Sequence, residues 1–263
     1  MSPRTERTYL TWIRRFAKWC RGRDCAPEDP GSARAFVEWL AGEQHVAAST
    51  QNQASSALAF LFVQVLGHSG PLELPRARPR RSLPAVLSPE EVRRVLKELR
   101  GPHRLVGALL YGSGLRLSEC LSLRIKDISF EPPVITVCEG KGGRSRRTLL
   151  AHFAEAALRR QIERVKALHE RDIQEGGGWA PLPGALYRRS PGDSRTLAWQ
   201  YLFPAVSPRS DPATGRTGRR HIHPSAVQRA FKAAVQTSGI GKRASCHTLR
   251  HSFATHALRM GYD

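Results

Sequence analysis

The run His247-Thr248-Leu249-Arg250-His251-Ser252-Phe253-Ala254-Thr255-His256 lies near the end of the 263-residue chain, and Gly114-Leu115-Arg116-Leu117-Ser118-Glu119 lies far upstream of it. His247–Met260 reads as an amphipathic helix with Leu249, Phe253 and Leu258 inward. His247 and Arg250 are three residues apart at its start and so share one face. Arg116 follows Gly112-Ser113-Gly114 and opens another helix, where free amide N–H groups and the helix dipole favour an anion.

Charge says what that anion is. The chain has 42 Lys+Arg against 22 Asp+Glu, a formal charge of +20, with 40% hydrophobic residues, a globular composition. Such an excess repels itself unless a polyanion neutralises it, and nucleic acid is the commonest such partner. A membrane partner is disfavoured. No apolar run approaches the roughly 18–20 residues that span a bilayer. The first residues, MSPRTERTYLTWIRRF, spread their arginines through an amphipathic pattern rather than flanking a signal core, which predicts a cytoplasmic protein. Five cysteines without a CxxC pair predict reduced, mostly buried thiols. Ten histidines lack zinc-site spacing, so no metal is expected.

Residues 3–70 read as all-helical. Tyr9, Trp12, Ile13, Phe16 and Trp19 mark one buried helix face, and Ala33, Phe36, Val37 and Leu40 a second. A third helix opens at Ser49-Thr50, where Thr50 and Gln53 have capping-box spacing, and runs to Gly67. Pro71 to Pro84 carries four prolines with Arg76, Arg78, Arg80 and Arg81 between them. Proline removes helix donors and stiffens the chain, so the segment reads as a linker whose arginines either track a phosphate backbone or are simply solvated. A second domain opens at Ser88-Pro89-Glu90-Glu91 with a capped helix start. Val134–Val137 and Ser145–Leu150 read as two strands joined by Gly140-Lys141-Gly142-Gly143. Helices then span Phe153 to about Gln174 and Ala226–Ser238, separated by a Pro/Gly/Arg-rich stretch.

Arg116, Lys141 at a glycine-flanked hairpin tip, His247 and Arg250 would suit a phosphodiester if they converged. Arginine forks neutralise a pentavalent transition state, and Lys or His protonates a leaving oxygen. Singly, each is an ordinary surface residue. In order, the Gly-Leu-Arg116-Leu-Ser-Glu119 box, Gly-Lys141-Gly-Gly and the His247–His256 run resemble the tyrosine recombinase (phage integrase) family over essentially the whole chain. That resemblance implies a mostly α fold with a small β-sheet: a helical, SAM-like core-binding domain (1–75), a basic linker (76–86) and an α+β catalytic domain (87–263). It implies a C-shaped clamp on DNA, with Arg116 and Arg250 on the scissile phosphate. Lys141 would be general acid for the leaving 5′-oxygen, His247 the acid/base partner and Glu119 a supporting carboxylate. His251 and His256 are assigned to packing or helix surface. Strand exchange through a 3′-phosphotyrosyl link conserves bond energy, so no cofactor, ATP or metal is needed, and four protomers act on two sites in the nucleoid.

Ala48-Ser-Thr-Gln-Asn-Gln-Ala54 and a stretch at about 180–222 are similar to integron integrases, whose extra segment recognises bases flipped out of folded single-stranded hairpins. On that resemblance Trp199, Pro212 and His221 contact extrahelical bases, since aromatic and apolar surfaces stack unpaired bases. Read without it, Trp199 is equally a core residue. The family pattern continues beyond Asp263 into a second histidine and the nucleophilic tyrosine. Tyr111, Tyr187, Tyr201 and Tyr262 match no nucleophile motif, so the chain is expected to be truncated and its own cleavage activity is left open. The alternatives are a cleavage-incompetent site-binding protein, a type IB topoisomerase and a generic architectural DNA-binding protein.

Overall fold

The computed structural model describes residues 1, 3–78, 85–138, 145–182, 189–212 and 214–262. They fall into two compact units that divide between Ser82 and Leu83. Lys141, Arg80, Arg81 and Tyr187 lie outside the described residues.

The first unit packs α1 (Pro3–Arg21), α2 (Pro30–Gly42) and α3 (Ala48–Phe60) around Trp12, Phe16, Phe36, Leu40, Leu58 and Phe62. Phe16 sits at the centre, 5.4 Å from Phe36 and 6.4 Å from Phe62 between ring centroids. Asp29 caps α2 through the amides of Gly31 and Ser32, and Pro30 supplies its fixed φ at the first turn. The capping box expected at Thr50 does not form: the N-cap is Ala47 and no side chain bonds there. The third helix is not uniform either. It passes into a π-helical turn at Leu61–Val65 before Gly67 ends it with φ of +68°. The proline-rich segment is anchored where it begins. Asn52 exchanges two hydrogen bonds of 2.9 Å with the backbone of Ala77, and Ser55 donates to the Pro75 carbonyl. Asn52 thus satisfies a backbone that proline-rich sequence cannot pair with itself.

The second unit is built on α5 (Gly101–Gly112), whose Leu105, Val106, Leu109 and Leu110 are buried among α4 (Pro89–Glu98), α7 (His152–Gln174), α8 (Pro224–Thr237) and α9 (Cys246–Arg259). The expected capping box at Ser88 is present, with Glu91 returning to the Ser88 amide. A short α6 (Leu117–Ser122) follows α5, then an antiparallel sheet of β1 (Ile128–Phe130), β2 (Pro133–Cys138) and β3 (Ser145–Leu149) in the order β1-β2-β3. In that register Val137 faces Arg146 and Thr136 faces Arg147. A separate two-stranded ribbon, β4 (Arg209–Ser210) with β5 (Thr217–Gly218), rises from the stretch between α7 and α8. On α9 Leu249 is fully buried and Phe253 half-buried, but Leu258 is 65% exposed, contrary to its expected inward position. The helix's last turn has run past the core it packs on. No described helix is long and apolar enough to cross a membrane.

Candidate phosphate-binding site

The Gly112-Ser113-Gly114 turn ends α5 sharply enough to set Arg116 at the start of α6. Gly114 has φ of +61°, a left-handed backbone that suits glycine, and a Cβ there would lie 2.5 Å from the Phe253 ring. The turn therefore lets α9 approach closely. Arg116 is the N-cap of α6, and its amide donates to Glu119 Oε2 at 2.8 Å. The Arg116 amide is thus occupied by a carboxylate, and its guanidinium carries the positive charge toward solvent.

Three arginines converge on that carboxylate. Arg116 Nη1 lies 2.6 Å from Glu119 Oε1. Arg146, from β3, places Nη1 and Nη2 at 3.2 and 2.8 Å from the two Glu119 oxygens, a fork-to-fork pair. Arg250, from α9, lies 3.8 Å from Oε2 and donates to the Gly114 carbonyl. Glu119 is 11% exposed, whereas Arg116 keeps 52% of its side chain open to solvent. Burial alone would push the Glu119 carboxyl up, but the Arg116 amide and guanidinium and the Arg146 charge hold it below the usual range. Three positive charges against one negative leave a net charge of +2, an anion site by simple electrostatics.

His247 stands at the rim. Its ring meets that of His251 edge-on at 4.4 Å between centroids. Burial first, then His251, Arg250 and Arg116, lower its pKa below the ordinary histidine value. Of the expected set, the structure brings Arg116, Glu119, His247 and Arg250 together. His256 hydrogen-bonds Tyr111 at 2.9 Å.

A family model for the phage integrase family matches residues 85–263, and one for the phage integrase N-terminal SAM-like domain matches residues 1–70. The chain belongs to the phage integrase family of tyrosine recombinases. An integrase/recombinase of Escherichia coli is 43% identical over 264 residues, covering 100% of this chain and 78% of the relative. Tyrosine recombinase XerC of Halalkalibacterium halodurans is 28% identical over 278 residues, covering 100% and 80%. The fold is also that of the Tn1549 transposon integrase in complex with a circular intermediate DNA, with a TM-score of 0.60, 17% identity, and 96% and 88% of the two chains covered. Tyrosine recombinases are DNA strand-transferring enzymes, and the mostly helical, two-domain architecture read from the sequence is theirs.

Of the residues assigned to unpaired bases in this recombinase-family chain, Trp199 and His221 lie around Arg124 and Tyr201, and Pro212 lies apart from them. Arg124, 9% exposed, bonds the Trp199 and Pro181 carbonyls at 2.5 Å each, and its guanidinium lies 5.1 Å from the Trp199 ring centroid and 4.6 Å from that of Tyr201. Lys126 lies over Trp199 at 4.2 Å. His221 meets Tyr201 edge-on at 5.3 Å, and Pro212 is exposed beside the β4–β5 ribbon. Arg76 and Arg78 are exposed on the first unit. Sequence reasoning missed Arg146. Its signal lay in strand alternation after the glycine turn, which separates Arg146 from Arg147 only once the pairing register is known.

Proposed function

We propose that this protein is a site-specific DNA recombinase of the integron integrase type, in which Arg116 and Arg250 grip the scissile phosphate and Glu119 orients them. The supporting observation is the convergence of Arg116, Arg146 and Arg250 on one nearly buried carboxylate, with His247 near enough to feel the Arg250 and Arg116 charges. Two guanidiniums neutralise the charge that builds on the non-bridging oxygens as the phosphorus becomes five-coordinate. His247 is assigned the acid/base role at the site. Lys141 is assigned the proton for the departing 5′-oxygen. In the full reaction a tyrosine oxygen bonds to phosphorus as the P–O5′ bond breaks, and the 3′-phosphotyrosyl link keeps the bond energy for rejoining. Arg76, Arg78, Arg80 and Arg81 are assigned to the DNA backbone. The enzyme acts in the bacterial cytoplasm on the nucleoid, as a homotetramer on duplex sites and on folded single-stranded hairpins.

Residues 1–263 supply the phosphate-binding half of this chemistry, and we assign them no nucleophile. Tyr111 is engaged with His256 and Tyr201 with Arg124 and His221. Residues 1–263 incubated with a nicked suicide substrate should bind without forming a covalent adduct; an adduct would refute the assignment. Arg116→Ala or Arg250→Ala should weaken binding by roughly tenfold or more, the scale of one charge-assisted contact. If neither exceeds the effect of the exposed Arg259→Ala, a generic basic DNA-binding protein is the better reading. For the integron subtype, Trp199→Ala should weaken binding to a hairpin with extruded bases and spare duplex binding; equal binding of both would remove that role.

A further inference from the structure

Glu119 lies among residues that should present positive charge to a phosphate, and taken alone it would spoil them. A carboxylate 2.6 Å from Arg116 and 3.8 Å from Arg250 cancels half of a two-arginine clamp. Arg146 removes that conflict. Its fork occupies both Glu119 oxygens, so the third guanidinium neutralises the carboxylate that aligns Arg116. Both terminal nitrogens of Arg146 face Glu119, and its side chain is 34% exposed against 52% for Arg116.

Strand β3 makes the arrangement rigid. Arg146 and Thr148 are two residues apart and so project from the same face of the strand. Thr148 Oγ1 donates to the Ser113 carbonyl at 2.9 Å, so β3 is fixed to the Ser113–Glu119 segment at two points. The residues that connect β2 to β3, Lys141 among them by sequence, end one position before Ser145. Arg146 is therefore the first described side chain after that connection to reach the cluster.

The geometry points to Arg146 as a positioning residue that neutralises Glu119, leaving the charges of Arg116 and Arg250 for phosphate; this rests on the recombinase reading of the same site. It acts through Glu119 and makes no phosphate contact of its own. Charge counting then gives a sign that no purely structural role would produce. The cluster carries +2 as it stands, +1 in Arg146→Gln, and +2 again in the Glu119→Gln/Arg146→Gln double variant.

The test is titration of inorganic phosphate into residues 1–263 at low ionic strength, followed by the ring resonances of His247. Arg146→Gln should weaken phosphate binding by about tenfold, since the Glu119 charge is then offset only by Arg116 and Arg250 and the cluster falls from +2 to +1. Adding Glu119→Gln should recover most of the lost affinity, because the cluster returns to +2 while the glutamine oxygen can still accept from Arg116. Arg146→Lys keeps the charge but not the fork and should retain most of the affinity, and Arg146→Met is read in place of Arg146→Gln if that variant melts. If Glu119→Gln fails to rescue Arg146→Gln, or Arg146→Gln changes nothing while Arg116→Ala weakens binding, the positioning role is overturned and the recombinase reading stands. If Arg116→Ala and Arg250→Ala also leave phosphate binding unchanged, the phosphate-site reading itself fails.

Discussion

Gly114→Ala is the substitution whose effect follows most directly from the geometry, and Gly239→Ala is its control. The two glycines have nearly the same backbone, with φ of +61° and +66°. A Cβ at Gly239 would meet nothing within 4 Å, whereas at Gly114 it would lie 2.5 Å from two Phe253 ring carbons. Left-handed backbone costs an alanine about 1–2 kcal/mol, so Gly239→Ala should lose about that much. Gly114→Ala adds a contact about 1 Å inside the ordinary carbon–carbon separation. Forcing a ring to move by that amount costs about 1–3 kcal/mol, for a total of about 2–5 kcal/mol. Urea denaturation of both variants, with unchanged slopes, measures the difference. Phe253 lies three residues from Arg250, and Gly114 supplies the carbonyl that Arg250 holds, so Gly114→Ala should also weaken phosphate binding while Gly239→Ala should not. Equal destabilisation by the two alanines would refute the close approach of α9 to the turn.

Asp172 and Arg219 form a two-bond ion pair at 2.6 and 2.7 Å with only 8% and 11% of their side chains exposed. Asp172→Ala strands the arginine and should cost about 3–5 kcal/mol in chemical denaturation, whereas Asp172→Leu with Arg219→Met should cost far less. His247 should titrate below the ordinary histidine value in nuclear magnetic resonance. Its folded-state pKa is depressed, so the unfolded chain binds more protons as pH falls through the ordinary histidine range. Stability is lost in that window, and His247→Gln should reduce the loss. A bound phosphate favours the charged imidazole, so phosphate should raise that pKa and bind more tightly as pH falls; an unchanged His247 pKa would argue that the anion sits elsewhere. Cys138 is exposed on β2, whereas burial raises the Cys120 thiol pKa and pushes that of Cys246 up to about 11. A maleimide should modify Cys138 in minutes while Cys120 and Cys246 react only on unfolding.

Helix periodicity was legible in the sequence because apolar residues at three- and four-residue spacing have one burial solution. The Phe16, Phe36 and Phe62 core follows from it, and the Ser88 cap from its own Ser-Pro-Glu-Glu string. Arg116, Glu119, His247 and Arg250 could be read as a group because each lies in a distinctive local string, and their meeting point was supplied by a known family pattern. Arg146 was opaque for a definite reason. It is one of three arginines in Arg144-Ser145-Arg146-Arg147, and the register that selects it depends on β2 pairing rather than on local composition. The three-residue β1 carries too few alternations to declare itself. Thr50 had the spacing of a cap without its structure, because the chain entered α3 three residues earlier at Ala47. Asn52, a polar residue inside a helix, gave no sign that it would hold Ala77 from 25 residues away.

The two cations over Trp199 change what recognition of a nucleobase would involve. The indole surface is not bare before a ligand arrives: Arg124 is fixed by two carbonyls, while Lys126 keeps 34% of its side chain in solvent and pairs with its neighbour Asp127. A base stacking on the side that Lys126 covers would take the ammonium's place, exchanging one π contact for another, and the net gain would be the small difference between them. The released ammonium would then be beside the incoming strand's own phosphates. Affinity at Trp199 would in that case depend on salt through a displaced lysine rather than on stacking alone, and Lys126→Met would separate the two contributions.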